Sequence, residues 1–196
     1  MMRLVPDTSV LCVVDLQEKL LPAIPTGGDV VTRTCRLVDA ARLFGVPVLA
    51  TEQYPRGLGP TVEPLAGRLE RPTAKMSFSC CGSAAFTRQL GEAAEAVVLC
   101  GLETHVCIAQ TALDLLAEGF GVWVAVDAVA SRCSLDHDIA LRRLEAAGAL
   151  LTTVEAIMFE WCRSADHAAF RTMRGLLDER SVETAVDGNP VRQNEG

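Results

Sequence analysis

Three side chains of this sequence could together break an acyl bond: the carboxylate of Asp15, the amine of Lys75 and the thiol of Cys107. In cysteine chemistry the thiolate is the nucleophile, and it needs a group to accept its proton and a charge to stabilise it. Cys107 follows Thr104, where a helical pattern begins, so it falls in the first turn of a helix. There it meets the positive end of the helix dipole and backbone N–H groups with no intrahelical acceptor. Both favour the thiolate, so the position predicts a depressed Cys107 pKa. The same N–H groups could receive a developing oxyanion. Asp15 directly follows an apolar run, where it either caps a turn or accepts the thiol proton. Lys75 is either a solvated lysine or, beside the other two, the positive charge that the thiolate and carboxylate need. Spacing alone does not bring the three together.

The elements around them do more. Short β-rich runs at 9–14, 46–50, 70–74, 96–100, 121–126 and 149–153 alternate with helical patterns at 29–44, 83–90, 104–118, 138–147 and 165–177. Gly45, Gly119 and Gly148 stand where three of those helices should stop. Pro72 makes the third strand a plausible sheet edge. Such alternation implies right-handed crossovers and a parallel sheet covered on both faces: an α/β, three-layer α-β-α, Rossmann-like architecture with six parallel strands. Ligands of such folds lie outside the carboxyl ends of the strands. Asp15 ends the first strand, Lys75 follows the third, and Cys107 comes just after the fourth. Residues 51–65, rich in Pro and Gly, read as a long loop in which Glu52, Gln53 and Tyr54 could line a pocket. Residues 1–178 form one domain, and 179–196 read as a polar tail.

Composition narrows the function. The chain has 196 residues, 49% apolar and 22% charged, as expected for one globular domain. Its net charge of −7 repels phosphate backbones, which argues against a nucleic-acid partner. No apolar run approaches the ~20 residues that span a bilayer, and the first strand ends too soon to be a signal peptide, which places the protein in the cytoplasm. Eight cysteines include no C-x-x-C pair, so zinc and thioredoxin-type readings weaken, and most should be small buried residues. Gly57-Leu58-Gly59 is followed by Pro60 and lacks the Lys of a phosphate-binding loop, so no cofactor is expected. His105 precedes Cys107 by two residues and should face another side of the helix, although a Cys–His pair is the rival mechanism. His137 lies in Asp136-His137-Asp138, where capping competes with a metal role.

VVDLQ at 13–17, AKMSFS at 74–79 and GLETHVCI at 101–108 resemble, in order, the motifs of the isochorismatase-like cysteine hydrolase family. TEQYPRGLGP at 51–60 resembles the branch named for isochorismatase domain-containing proteins. The resemblance covers roughly residues 8–159. It implies that Asp15, Lys75 and Cys107 form the catalytic trio, that Leu102–Glu103 is a cis peptide, and that the protein is a homo-oligomer. The unpaired N–H groups of the helix start put an oxyanion hole at the backbone of Glu103 and Cys107, and Gln17, Glu52, Gln53, Tyr54, Phe78 and His105 could line a substrate pocket beside it. Nicotinamidases of the family bind a metal through an aspartate and histidines, but no histidine precedes His105 here. Isochorismatases proper lack the cysteine. The expectation is therefore a metal-independent cysteine hydrolase acting on a small amide or related acyl substrate through an acyl-enzyme. The alternatives are a non-catalytic oligomeric interaction module of the same fold, or a thiol redox protein suggested by Cys80-Cys81.

Overall fold

Strand β1 (Ser9–Val14) is buried along its whole length, which requires cover on both faces. The computed structural model describes residues 3–91 and 94–177, and there β1 lies at the middle of a six-stranded parallel sheet. Its companions are β2 (Val48–Gln53), β3 (Thr73–Lys75), β4 (Ala96–Leu102), β5 (Gly121–Ala130) and β6 (Leu150–Thr152). The order is β3-β2-β1-β4-β5-β6. The chain winds outward from β1 through β2 and β3, then returns to the other side of β1 with β4. The β1/β4 boundary is thus the switch point where the crossovers diverge and a crevice opens.

Alternation along the strands sends successive residues to opposite layers. Leu11 and Val13 pack with α1 (Gly27–Leu43) and a late helix (Val154–Cys162) on one face. Val10, Cys12 and Val14 pack on the other face with α3 (Ala84–Leu90), α4 (Ala109–Ala117) and α5 (Ser134–Ala146). The short α2 (Pro55–Leu58) sits in the loop after β2.

Several boundaries differ from those the sequence predicts, and most differences occur at the carboxyl ends that build the site. Strand β2 runs on through the polar Thr51, Glu52 and Gln53, because the ladder with β3 continues to Gln53 opposite Lys75. Strand β3 begins after Pro72, which has no N–H to give, so Lys75 is its last residue. Strands β4 and β5 extend to Leu102 and Ala130. The helix expected at 104–118 opens instead with a wide π-type turn, Thr104–Ile108, before α4. Helix α5 starts at Ser134 rather than at 138. The helix at Val154–Cys162, here α6, has no counterpart in the predicted set. Its sequence VEAIMFEWC is apolar on most sides because it is largely buried, so no amphipathic period marks it. Thr153 caps it by accepting from the Ala156 amide at 3.3 Å. Helical backbone toward the C-terminus covers 170–177, later than the predicted start at 165. The predicted tail, 179–196, lies outside the described residues.

One glycine shapes the crevice. At Gly101 φ is +117°, and a Cβ there would lie 2.0 Å from the Val14 carbonyl oxygen. Only glycine lets β4 approach β1 this closely, just before Asp15. The Leu102–Glu103 peptide that follows is cis, as the family resemblance implies. No helix among the described residues is long and apolar enough to cross a membrane.

Candidate active site

Asp15 leaves β1 with φ at +54°, a left-handed conformation that Asp tolerates better than most residues. Its amide still donates to the Thr51 carbonyl at 3.2 Å, so the β1/β2 ladder fixes it from one side. Each carboxylate oxygen accepts one hydrogen bond: Thr51 Oγ1 donates to Oδ1 at 2.8 Å, and Lys75 Nζ donates to Oδ2 at 2.7 Å. The side chains of Asp15 and Lys75 have no solvent exposure at all. The Lys75 ammonium also donates to Gln53 Oε1 at 2.8 Å, the Phe78 carbonyl at 3.0 Å and the Ser77 carbonyl at 3.3 Å. Burial pulls the lysine pKa down, but the Asp15 carboxylate and the nearby Cys107 and Cys80 sulfurs outweigh it, so the net shift is upward and the amine stays charged.

Gln53 is itself held. Its amide donates to Gln17 Oε1 at 2.8 Å while Gln17 Nε2 donates to the Gln53 and Gly59 carbonyls at 3.0 and 2.7 Å. Buried Gln17 therefore acts as a side-chain strand partner for β2 and supports Lys75 through Gln53. Glu52 turns the other way: its Oε1 accepts from the Thr61 amide and hydroxyl at 2.7 and 2.8 Å and fastens the loop after α2. Tyr54 and Phe78 are exposed, with Met76, around the strand ends that carry Gln53 and Lys75.

Cys107 is only 6% exposed and lies in the π-type turn. Asp15 and Lys75 both act on its thiol, so the structure brings the three predicted residues together. The thiol pKa is not depressed, contrary to the helix-start argument. Burial and then the Asp15 carboxylate push it up to about 12, and the Lys75 charge only partly offsets them. Cys107 is more enclosed than a first-turn position suggests, and both burial and the neighbouring carboxylate oppose the helix dipole. The Glu103 carbonyl accepts from the amides of Val106 at 3.1 Å and Ile108 at 3.2 Å, passing over the amide of Cys107 between them.

Each histidine has a contact of its own. His105 Nδ1 lies 3.0 Å from Ser131 Oγ, His137 Nδ1 lies 2.9 Å from Thr104 Oγ1, and His167 packs edge-on against Phe44. Among the described residues no group of three or more His, Cys, Asp or Glu side chains is arranged to hold a metal ion.

Two neighbours of the trio carry little sequence signal. Thr51 belongs to a stretch that reads as loop. Cys80 looks like half of a cysteine pair, yet its sulfur lies 3.7 Å from Thr51 Oγ1 and its amide donates to Thr111 Oγ1 at 2.9 Å. Hydrogen bonds from Cys12 and Thr111, with the Lys75 charge, hold its thiol pKa down against the effect of burial.

A buried carboxylate–ammonium pair thus faces a thiol at the switch point of a parallel α/β sheet. Residues 9–156 match the model of the Isochorismatase domain, so the chain belongs to the isochorismatase family. It is 41% identical over 177 residues to the mouse (Mus musculus) isochorismatase domain-containing protein 2A, covering 90% of this chain and 86% of that one. The structure is similar to one described as MAR1 ribonuclease from Caenorhabditis elegans, with a TM-score of 0.86, 38% identity, and coverage of 99% of this chain and 100% of that one. It is also similar to the YcaC gene product of Escherichia coli, described as an octameric hydrolase of unknown specificity, with a TM-score of 0.83, 26% identity, and coverage of 95% and 97%.

Proposed function

We propose that the protein is a metal-independent cysteine hydrolase that cleaves a small amide or related C–N acyl substrate through a thioester acyl-enzyme. The observation that carries this reading is the fully buried Asp15–Lys75 pair acting on the Cys107 thiol. A thiol that rests neutral requires a base at the moment of attack, and Asp15 is the adjacent base. Cys107 Sγ attacks the carbonyl carbon as its proton passes to Asp15. The carbonyl oxygen becomes an oxyanion, received by the backbone amides of Cys107 and Glu103 with Lys75 nearby. Collapse breaks the C–N bond, and Asp15 returns the proton to the departing amine. Water, losing a proton to Asp15, then attacks the thioester and frees the acid and the thiol.

Tyr54, Phe78 and Met76 offer an apolar rim to such a substrate. The octameric description of the E. coli relative supports a homo-oligomer. A second reading, RNA cleavage, is raised by the name of the C. elegans neighbour. The net charge of −7 argues against it. A screen of small amides, ureas and esters, with an RNA substrate included, should show turnover of an acyl compound that Cys107→Ala abolishes. RNA cleavage surviving in Cys107→Ala, with no acyl compound turned over, would overturn the proposal.

A further inference from the structure

The turn that carries Cys107 is tied to its neighbour by three consecutive side chains. Glu103 Oε1 pairs with Arg132 Nε at 2.6 Å, Thr104 Oγ1 meets His137 Nδ1 at 2.9 Å, and His105 Nδ1 meets Ser131 Oγ at 3.0 Å. All three partners lie between the end of β5 and the first turn of α5. The charged link stands out. Glu103 is 6% exposed, and besides Asp15 and Lys75 it is the only charged residue buried to that degree among the described residues. Its Oε2 is buried without a hydrogen bond, lying 3.5 Å from His105 Nδ1. Burying a carboxylate with one oxygen unsatisfied is costly, and this one depends on the exposed Arg132 for its compensation. The Glu103 backbone carbonyl, meanwhile, organises the Val106 and Ile108 amides on either side of that of Cys107.

We propose that Glu103 and Arg132 are positioning residues: their ion pair holds the π-type turn so that its amides point at the oxyanion of acyl transfer. The inference rests on the reading of Cys107 as an acyl-accepting nucleophile. It separates two reactions of one thiol. Acylation by p-nitrophenyl acetate builds charge on a carbonyl oxygen and releases p-nitrophenol in a burst. Alkylation by iodoacetamide displaces iodide at a saturated carbon and develops no oxyanion. A misplaced turn should slow the first and spare the second, whereas general damage to the fold should slow both.

The experiment measures both rates on wild type, Glu103→Gln, Arg132→Met and the double variant, with far-UV circular dichroism to normalise for folded protein. Loss of one oxyanion donor costs ~10²–10³-fold, so a displaced turn should slow acylation by about tenfold or more. Iodoacetamide labelling of Cys107 should stay within about twofold, and the double variant should resemble the singles because both act through one pair. Arg132→Lys keeps the charge without the planar fork and should restore acylation only in part. It also carries the test if Arg132→Met does not fold. Unchanged acylation in Arg132→Met, or equal slowing of acylation and alkylation, overturns the inference while leaving Cys107 as nucleophile. A wild type with no burst, or a burst that persists in Cys107→Ala, removes the nucleophile and the inference together.

Discussion

At the scale of single residues, the site turns on which group holds the thiol proton. In the folded protein the Cys107 pKa is raised to about 12 by burial and the Asp15 carboxylate. A raised acid pKa keeps the protonated form through neutral pH, so the thiolate fraction grows about tenfold per pH unit until it nears that value. The rate of iodoacetamide labelling at Cys107 should therefore rise with a slope near one between about pH 7 and 9, without levelling. A plateau beginning near or below neutrality would show a depressed pKa and return the mechanism to a preformed thiolate. Asp15→Asn removes the base and strands a buried ammonium. Acylation should slow by ~10²–10⁴-fold, roughly 3–5 kcal/mol of barrier. The melting temperature should fall as well, since breaking a buried pair costs about 3–5 kcal/mol of stability. Turnover per folded molecule distinguishes the effects: a normal value in a destabilised Asp15→Asn would make Asp15 structural. Asp15 stood out in the sequence because a carboxylate directly follows an apolar strand, whereas Lys75 and Cys107 were joined to it only by their strand-end positions and the family motifs. Thr51, Cys80 and Arg132 were not legible, since nothing in their local sequence tells which long-range neighbour they meet.

At the scale of elements, strands with clear apolar runs were readable and their polar carboxyl ends were not. Thr51 to Gln53 look like loop, yet they form ladder bonds with β3 and place Gln53 against Lys75. The continuation is decided by pairing rather than by side-chain type. The same limit hid the π-type turn, because a widened first turn has the apolar spacing of an ordinary helix. It also hid α6, whose burial erases the period that would reveal it. The position of Gly101 is the element-scale feature most open to test. Gly101→Ala would place a methyl group 2.0 Å from the Val14 carbonyl oxygen at a φ of +117°. It should force β4 from β1 and destabilise the protein by more than about 3 kcal/mol, read as a large drop in thermal midpoint or loss of soluble protein. A near-normal midpoint would mean that the β1/β4 crevice tolerates opening.

At the scale of the whole molecule, the alternation of strands and helices was enough to name a parallel three-layer sheet, and the strand-end rule then pointed to one crevice. Assembly is less legible, because the cues are surface ones. Leu135 and Ile139 stand exposed one turn apart on α5, and Phe159 is exposed on α6. With the family's octameric example, they lead us to expect a dimer or larger at micromolar concentration by sedimentation equilibrium, and a stable monomer would refute that. Activity should survive exhaustive chelation; loss reversed by added zinc would contradict the metal-independent reading. Above all, Cys107 should carry the acyl group between the two halves of the reaction. Rapid acid quench after mixing with p-nitrophenyl acetate, followed by intact-mass and peptide mass spectrometry, tests it most directly. One acetyl group is expected on the peptide containing Cys107, absent in Cys107→Ala. Acetylation confined to Cys80, Cys81 or Cys133, or no covalent adduct despite ester turnover, would contradict it.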